Sequence, residues 1–442
     1  MKTPGILLLS LALALSMAAC VEESQPVSAE DCPQQVAGEV IEKTPTTPVS
    51  EPEIEVLPGV EVLVRDHAPE LAGKRVGILT NPTGVTRTLE STIDAVRNMP
   101  GVQVVRLFSP EHGLRGQHYA GDKVNETLDP VSGLPVMSLY GSTRRPTPQM
   151  LEGLDLILYD IQDVGHRTYT FVSSLTYLME ECEKAGVAVW VLDRPNPTGG
   201  QQVGGPVIDP DLISFIGIHE VPQVYGLTPG EWAQMIRAER TPGIDLRVIK
   251  MDGWHRGMTF GETGWIWVPT SQHIPQWTSS YFYGMTGTLG ELGKVSVGVG
   301  TPTPFELIGA QWLDSQEFAG QLNRHGLEGV IFRPVSYSPR YALGTGKMLH
   351  GVQIHISDYH SVNPADVLAA LIVELVRIAP DRNLFADYLR EDGSPSGFLK
   401  ALGSREMAEQ LANNEIPGQL LSQDSEALKA FRERRKQYLL YP

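Results

Sequence analysis

The octapeptide Ser109-Pro110-Glu111-His112-Gly113-Leu114-Arg115-Gly116 gathers a carboxylate, an imidazole and a guanidinium directly after the apolar run Val102–Phe108. Glu111 and His112 are side chains that can hold or move protons near neutral pH, and Arg115 can grip a carboxylate or a phosphate. Pro110 cannot continue a strand ladder, and Gly113 and Gly116 permit backbone angles that other residues avoid. The octapeptide therefore reads as a loop at the end of a buried strand. Glu111 also has a plainer reading, as a turn cap or the partner of Arg115, and His112 as a group bonded to backbone.

Polar residues follow every other strand-like run in this half of the chain. Asn81 follows Arg75–Thr80, and Tyr140, Arg144 and Arg145 follow Leu134–Leu139. Asp160, Asp163, His166, Arg167 and Tyr169 close or follow Leu154–Asp160, and Asp193, Arg194 and Asn196 follow Val187–Leu192. A parallel sheet would bring these ends to one edge, where open α/β sheets bind ligands. Such a cleft holds arginines for an anionic group, tyrosines for a sugar face and carboxylates of the kind glycoside hydrolysis uses. Asp160, Asp163 and His166 could instead hold a metal, and the Asp193–Pro197 segment could be a turn locked by an ion pair. The aromatic run Trp265–Pro269 reads as core before it reads as a sugar platform.

The elements that must position these groups alternate. Helices are predicted over Leu89–Asn98, over Phe171–Ala185 with Gly186 as C-cap, and from the cap Thr228-Pro229-Gly230-Glu231 to Glu239, with a strand at Leu246–Met251. The fold class is α/β, a doubly wound and mostly parallel sheet. Gly284–Gly300 is glycine-rich, and no strong helix is predicted before about Ser315. Beyond it come strands at Gly329–Pro334 and Gly351–Ser357 and helices at Ala365–Ile378, Ser404–Ala412 and Ser425–Tyr438. The expected domains are 56–285 and a smaller C-terminal α/β or α+β domain over 286–442.

The N-terminus reads as a targeting segment. Lys2, the apolar Ile6–Leu15 and Met17-Ala18-Ala19-Cys20 form an export signal ending in a lipobox-like site, with Cys20 as the lipidated residue. Residues 21–55 are rich in Glu, Pro, Thr and Ser and are expected to be a disordered tether. The lipid anchor would be the chain's only membrane contact. Val21, where inner-membrane retention favours Asp, points to the periplasmic face of an outer membrane in a Gram-negative cell. Cys32 lies in the tether and Cys182 in a helical pattern, so the three cysteines form neither a disulfide framework nor a zinc set. With 35 Lys+Arg against 52 Asp+Glu, a formal net charge of -17 argues against nucleic acid as a partner. No G-x-G-x-x-G follows the first strand, and no Walker loop, G-x-S-x-G elbow or H-E-x-x-H is present, so no cofactor is expected.

Several segments in a fixed order resemble the NamZ-like exo-β-N-acetylmuramidases. They are Leu79–Gly84, Phe108–Gly116, Ser138–Gly141, Asp160–Gly165, Leu192–Pro197 and Pro304–Ala310, and the resemblance spans Gly59 to the C-terminus. It implies a Rossmann-like domain with a smaller C-terminal domain and a site between them. It also implies removal of terminal N-acetylmuramic acid from the non-reducing end of peptidoglycan fragments. By the same resemblance the catalytic carboxylate is Glu111, expected as general acid or acid/base with His112 positioning it. Asp160 or Asp163 is then expected as second carboxylate or water-orienting group, and Arg115, Arg167 or Arg194 as the site for the lactyl carboxylate. Two segments depart from the family pattern. Many members read Ser-Glu-Gly-Arg-Gly-Thr where this chain has Ser296-Val297-Gly298-Val299-Gly300-Thr301, and Pro-Ser-Pro-Asn-Met-Pro where it has Thr270-Ser271-Gln272-His273-Ile274-Pro275. The competing reading is a non-catalytic sugar-binding lipoprotein.

Overall fold

Seven strands form the larger sheet, β1 (Arg75–Thr80), β2 (Gln103–Ser109), β3 (Thr127–Leu128), β4 (Pro135–Ser138), β5 (Leu156–Asp160), β6 (Ala188–Leu192) and β7 (Leu246–Ile249), in the spatial order β3-β4-β2-β1-β5-β6-β7. Six pair in parallel, and β3 alone runs antiparallel, against β4. The computed structural model describes residues 55–118, 127–422 and 424–442, all within one compact unit. The expected export signal, Cys20, Cys32 and the tether up to residue 54 lie outside the described residues.

Both faces of this sheet are covered, which is why β5 reads as an unbroken apolar run rather than an alternating one. Ile78, Leu107, Leu158 and Trp190 pack on one side with Ile93 and Val96 of the helix Thr92–Arg97. Leu79, Phe108, Ile157 and Val191 pack on the other with Leu175 and Met179 of the helix Phe171–Ala185 and Trp232 of the helix Pro229–Glu239. Each fully buried Leu, Val or Phe contributes about 1.5–3 kcal/mol. The Phe171–Ala185 helix ends as its sequence requires. Gly186 turns left-handed at φ 68°, and the next amide, of Val187, bonds back to the Cys182 carbonyl at 3.0 Å. Thr228 and Glu231 form the expected capping box. The predicted helix over Leu89–Asn98 begins later, at Thr92, because Ser91 takes the N-cap and Leu89 sits at φ 67°.

A second, antiparallel sheet has the order β8-β10-β9, with β8 Leu307–Ala310, β9 Val330–Tyr337 and β10 Leu349–Ile356. The nearly all-buried helix Pro364–Ile378 packs beneath it. One element corrects the sequence reading. Ser279–Gly290 is a helix despite three glycines, where none was predicted. Each glycine costs a helix about 1 kcal/mol relative to alanine, but Tyr281, Phe282, Met285 and Leu289 are buried against Val367, Leu368 and Leu371. Gly284 lies so close to Pro364 that a side chain would collide with its ring. The glycines are the condition for close helix packing here rather than a sign of a loop. The chain finally returns to the larger sheet, where Leu428, Phe431 and Tyr438 join the core around Trp232.

Candidate active site

A cavity of about 480 Å3 opens beside the carboxyl ends of β2 and β4. From the larger-sheet side it is lined by Glu111, His112, Tyr140, Arg144, the stretch Thr168–Phe171 and Ser271–Ile274. From the other side come Tyr283 and Glu291 at the Ser279–Gly290 helix, Val297 and Val299 in the following loop, and Phe305. The expected edge of the sheet does carry a cleft, but on the β2–β4 side. The switch point between β1 and β5 is plugged by the side chains expected to work there.

That plug is an ion pair. Arg194 grips Asp160 through Nε at 2.5 Å and Nη2 at 2.9 Å, and Asp160 also accepts from the Thr92 hydroxyl. Asp160 is fully buried and does not line the cavity. Asp163 is buried outside the cavity too, its Oδ2 accepting from the Gly165 amide at 2.8 Å and from the Tyr225 hydroxyl while its Oδ1 has no hydrogen-bond partner among the described residues. Burial pushes its carboxyl up to about 6. Asp193 caps the Pro229–Glu239 helix at the Gly230 amide, 2.7 Å, and holds the Tyr441 hydroxyl at 2.6 Å. The ion pair of the Asp193–Pro197 turn thus runs from Arg194 to Asp160. Asn81 and Asn196 close local turns on Thr83 and Thr198.

The arginines expected to bind substrate are likewise engaged. Arg115 forks onto Asp129 at 3.0 and 2.9 Å. Arg145 pairs with Glu180 and Glu181. Arg167 is 1% exposed and donates to four carbonyls, those of Pro206, Val221, Ala401 and Leu402, at 2.7 to 3.0 Å. It thereby ties the loops above the larger sheet to the helix Gly397–Leu402. A side chain on Gly403, which ends that helix at φ 87°, would overlap the guanidinium. His166 is buried, its Nδ1 on the Thr168 hydroxyl at 2.9 Å, and burial pushes it down to about 3, so the ring is neutral. Asp160, Asp163 and His166 thus each have separate partners and do not converge. Among the described residues no cluster of three such groups is placed to hold a metal.

Five residues expected at the strand ends do line the cavity: Glu111, His112, Tyr140, Arg144 and Tyr169. Glu111 Oε2 accepts from the Thr170 hydroxyl at 2.7 Å. The Tyr140 phenol is pushed up to about 12 by burial and by the neighbouring Glu111 carboxylate. His112 holds φ 72°, its Nδ1 3.0 Å from the His118 carbonyl. Phe305 and Ala342, also on the cavity wall, share this left-handed conformation. Such strain costs about 1–3 kcal/mol per residue and gathers at functional sites. Tyr169 bonds the Thr270 hydroxyl at 2.8 Å and meets Tyr283 edge-on, ring centres 5.5 Å apart. Arg144 lies over the Phe215 ring at 4.2 Å and is the one arginine among the described lining residues.

Among the wall residues that escaped the sequence reading are Thr170, Tyr283 and Glu291. Thr170 was hidden as the residue after Tyr169, and Tyr283 and Glu291 lie on the unrecognised helix or at its end. Both departures from the family pattern fall on this wall: Val297 and Val299 supply apolar surface, and Ser271–Ile274 form one rim.

A parallel α/β sheet joined to a small antiparallel domain, with a carboxylate-bearing cavity where they meet, defines the class. The N-terminal model of exo-beta-N-acetylmuramidase NamZ matches residues 76–278, and the C-terminal model matches residues 281–441. The chain belongs to the NamZ exo-beta-N-acetylmuramidase family. It is 37% identical to the peptidoglycan beta-N-acetylmuramidase NamZ of Bacillus subtilis over 383 residues, 87% of this chain and 91% of the relative. A crystal structure of a DUF1343 family protein from Bacteroides fragilis superposes with TM-score 0.81 at 39% identity, over 88% of this chain and 100% of that one. A second from the same organism gives 0.68 at 27% identity, over 88% and 99%.

Proposed function

We propose that the chain is a glycoside hydrolase that removes terminal N-acetylmuramic acid from peptidoglycan fragments, in the cavity beside β2 and β4. The observation that carries this reading is the placing of Glu111 and Arg144 on one wall. Glu111 is the catalytic carboxylate, steadied by Thr170 and Tyr140. His112 stands beside it in its strained turn. Arg144 has aromatic faces and the Tyr140 hydroxyl for company but no carboxylate partner among the described residues. Its guanidinium is therefore available for the lactyl carboxylate, in place of Arg115, Arg167 and Arg194. Tyr140, Tyr169 and Tyr283 offer ring faces and edges to a pyranose.

The test is Arg144→Met. A hydrogen bond to a charged group contributes about 1.5–3 kcal/mol. The variant is expected to lose about 10- to 100-fold in kcat/KM on a muramyl substrate, and little on an analogue lacking the lactyl group. Equal losses on both would place the lactyl contact elsewhere. Export and lipid attachment at Cys20 belong to the same proposal, supported by Met17–Cys20. Cys20→Ser should abolish incorporation of a labelled fatty acid.

A further inference from the structure

We propose that Glu291 is the second carboxylate of this site, giving its proton to the glycosidic oxygen while Glu111 acts at the anomeric carbon. The inference rests on the glycosidase reading above and assigns the partner that the sequence placed at Asp160 or Asp163.

Glycoside hydrolysis needs two carboxyl groups about one scissile bond. Among the described residues, the cavity wall carries two: Glu111 from the loop after β2 and Glu291 from the end of the Ser279–Gly290 helix. They reach it from the two different domains. Tyr283 lines the same cavity, and its hydroxyl, pushed up chiefly by burial, is also raised by the charges of Glu291, Glu111 and Asp163. Neither Asp160 nor Asp163 lines the cavity: Asp160 is spent on Arg194, and Asp163 is buried with one oxygen held by the Gly165 amide and the Tyr225 hydroxyl. The Glu291 carboxylate, in contrast, has no hydrogen-bond or ion-pair partner among the described residues. Its carboxylate lies against Gly397, where any side chain would strike it.

The two carboxyl groups stand in different surroundings, and that divides their roles. The Glu291 side chain opens onto the cavity rather than into packed protein, yet the protein around it raises its carboxyl above the usual glutamate range. It keeps a proton to higher pH than a free glutamate, as a general acid requires. Glu111 accepts a hydrogen bond from the Thr170 hydroxyl at 2.7 Å and lies beside the Tyr140 hydroxyl. In the reaction the Glu291 proton passes to the bridging oxygen. The C1–O bond breaks with its electron pair on that oxygen, which leaves as the aglycone hydroxyl. Water supplies the hydroxyl that C1 gains, and its remaining proton restores the pair of carboxyl groups. Glu111 is thereby moved from the expected proton donor to the group that acts on C1 or on the water.

The experiment is Glu291→Gln, assayed in the full chain on two substrates: the disaccharide N-acetylmuramyl-N-acetylglucosamine and a 4-nitrophenyl β-glycoside of N-acetylmuramic acid. Nitrophenolate leaves without a proton. A lost general acid costs about 10²–10⁴-fold where protonation is needed, so the disaccharide rate should fall by about 100-fold or more and the nitrophenyl rate by less than about 10-fold. The alkaline limb of kcat/KM should disappear for the nitrophenyl substrate. Glu291→Asp, which keeps the acid, should recover part of the disaccharide rate. Equal losses on both substrates would make Glu291 a structural residue and overturn the assignment, as would disaccharide turnover within about threefold of the parent. If the unaltered chain hydrolyses neither substrate, it is the glycosidase reading that fails.

Discussion

Asp160→Asn separates a structural carboxylate from a catalytic one. Asp160 holds the β1–β5 switch point closed, because both of its oxygens are bound by Arg194, at 2.5 and 2.9 Å, and the pair is buried. Replacing it with the isosteric amide leaves the Arg194 guanidinium, 4% exposed, without a counter-charge. Breaking one partner of a buried pair costs about 3–5 kcal/mol, enough to lower Tm by roughly 5–10 °C in a domain of this size. Because Asp160 lies outside the cavity wall, kcat of the folded variant should stay within about threefold of the parent. The assay pairs a thermal melt with turnover of the muramyl disaccharide well below the variant's melting range. A 100-fold loss of kcat with Tm moved by less than about 2 °C would refute this reasoning and return Asp160 to the chemistry.

Two further predictions follow from the same side chains. Asp163 is held by burial near 6 against a usual 3.8, so the folded state keeps a proton that the unfolded chain has released. Its contribution is fully present below about pH 4 and is lost as pH rises through 6; Tm of the parent should fall relative to Asp163→Asn over that window, and parallel curves would contradict it. Since Asp160, Asp163 and His166 each have separate partners, dialysis against EDTA should leave hydrolysis unchanged, and a loss restored by one divalent metal would show a metal site in use.

Local rules carried the sequence reading furthest where one element settles its own ends. The Phe171–Ala185 helix, its Gly186 cap and the Thr228 capping box all appear as read, since capping and amphipathic spacing are properties of the segment itself. The parallel sheet was legible for the same reason, through short buried runs separated by helices. The Ser279–Gly290 helix was not, because its stability comes from the Pro364–Ile378 helix, which is distant in sequence. The site divided along the same line. Glu111 and Tyr140 follow strands whose ends face the cavity, and position alone marks them. Whether an arginine is free or engaged depends on what meets it in space. Arg115, Arg167 and Arg194 are spent on Asp129, on four carbonyls and on Asp160, while Arg144 is the arginine that lines the cavity among the described residues. Glu291 was missed because its segment read as a loop.

The most direct test of the central claim is mass spectrometry of N-acetylmuramyl-N-acetylglucosamine incubated with the full chain and, in parallel, with Glu111→Gln. The account predicts free N-acetylmuramic acid from the parent and none above background from the variant, with both proteins melting at the same temperature. Intact disaccharide after incubation with folded parent protein, or equal release by the variant, would contradict it.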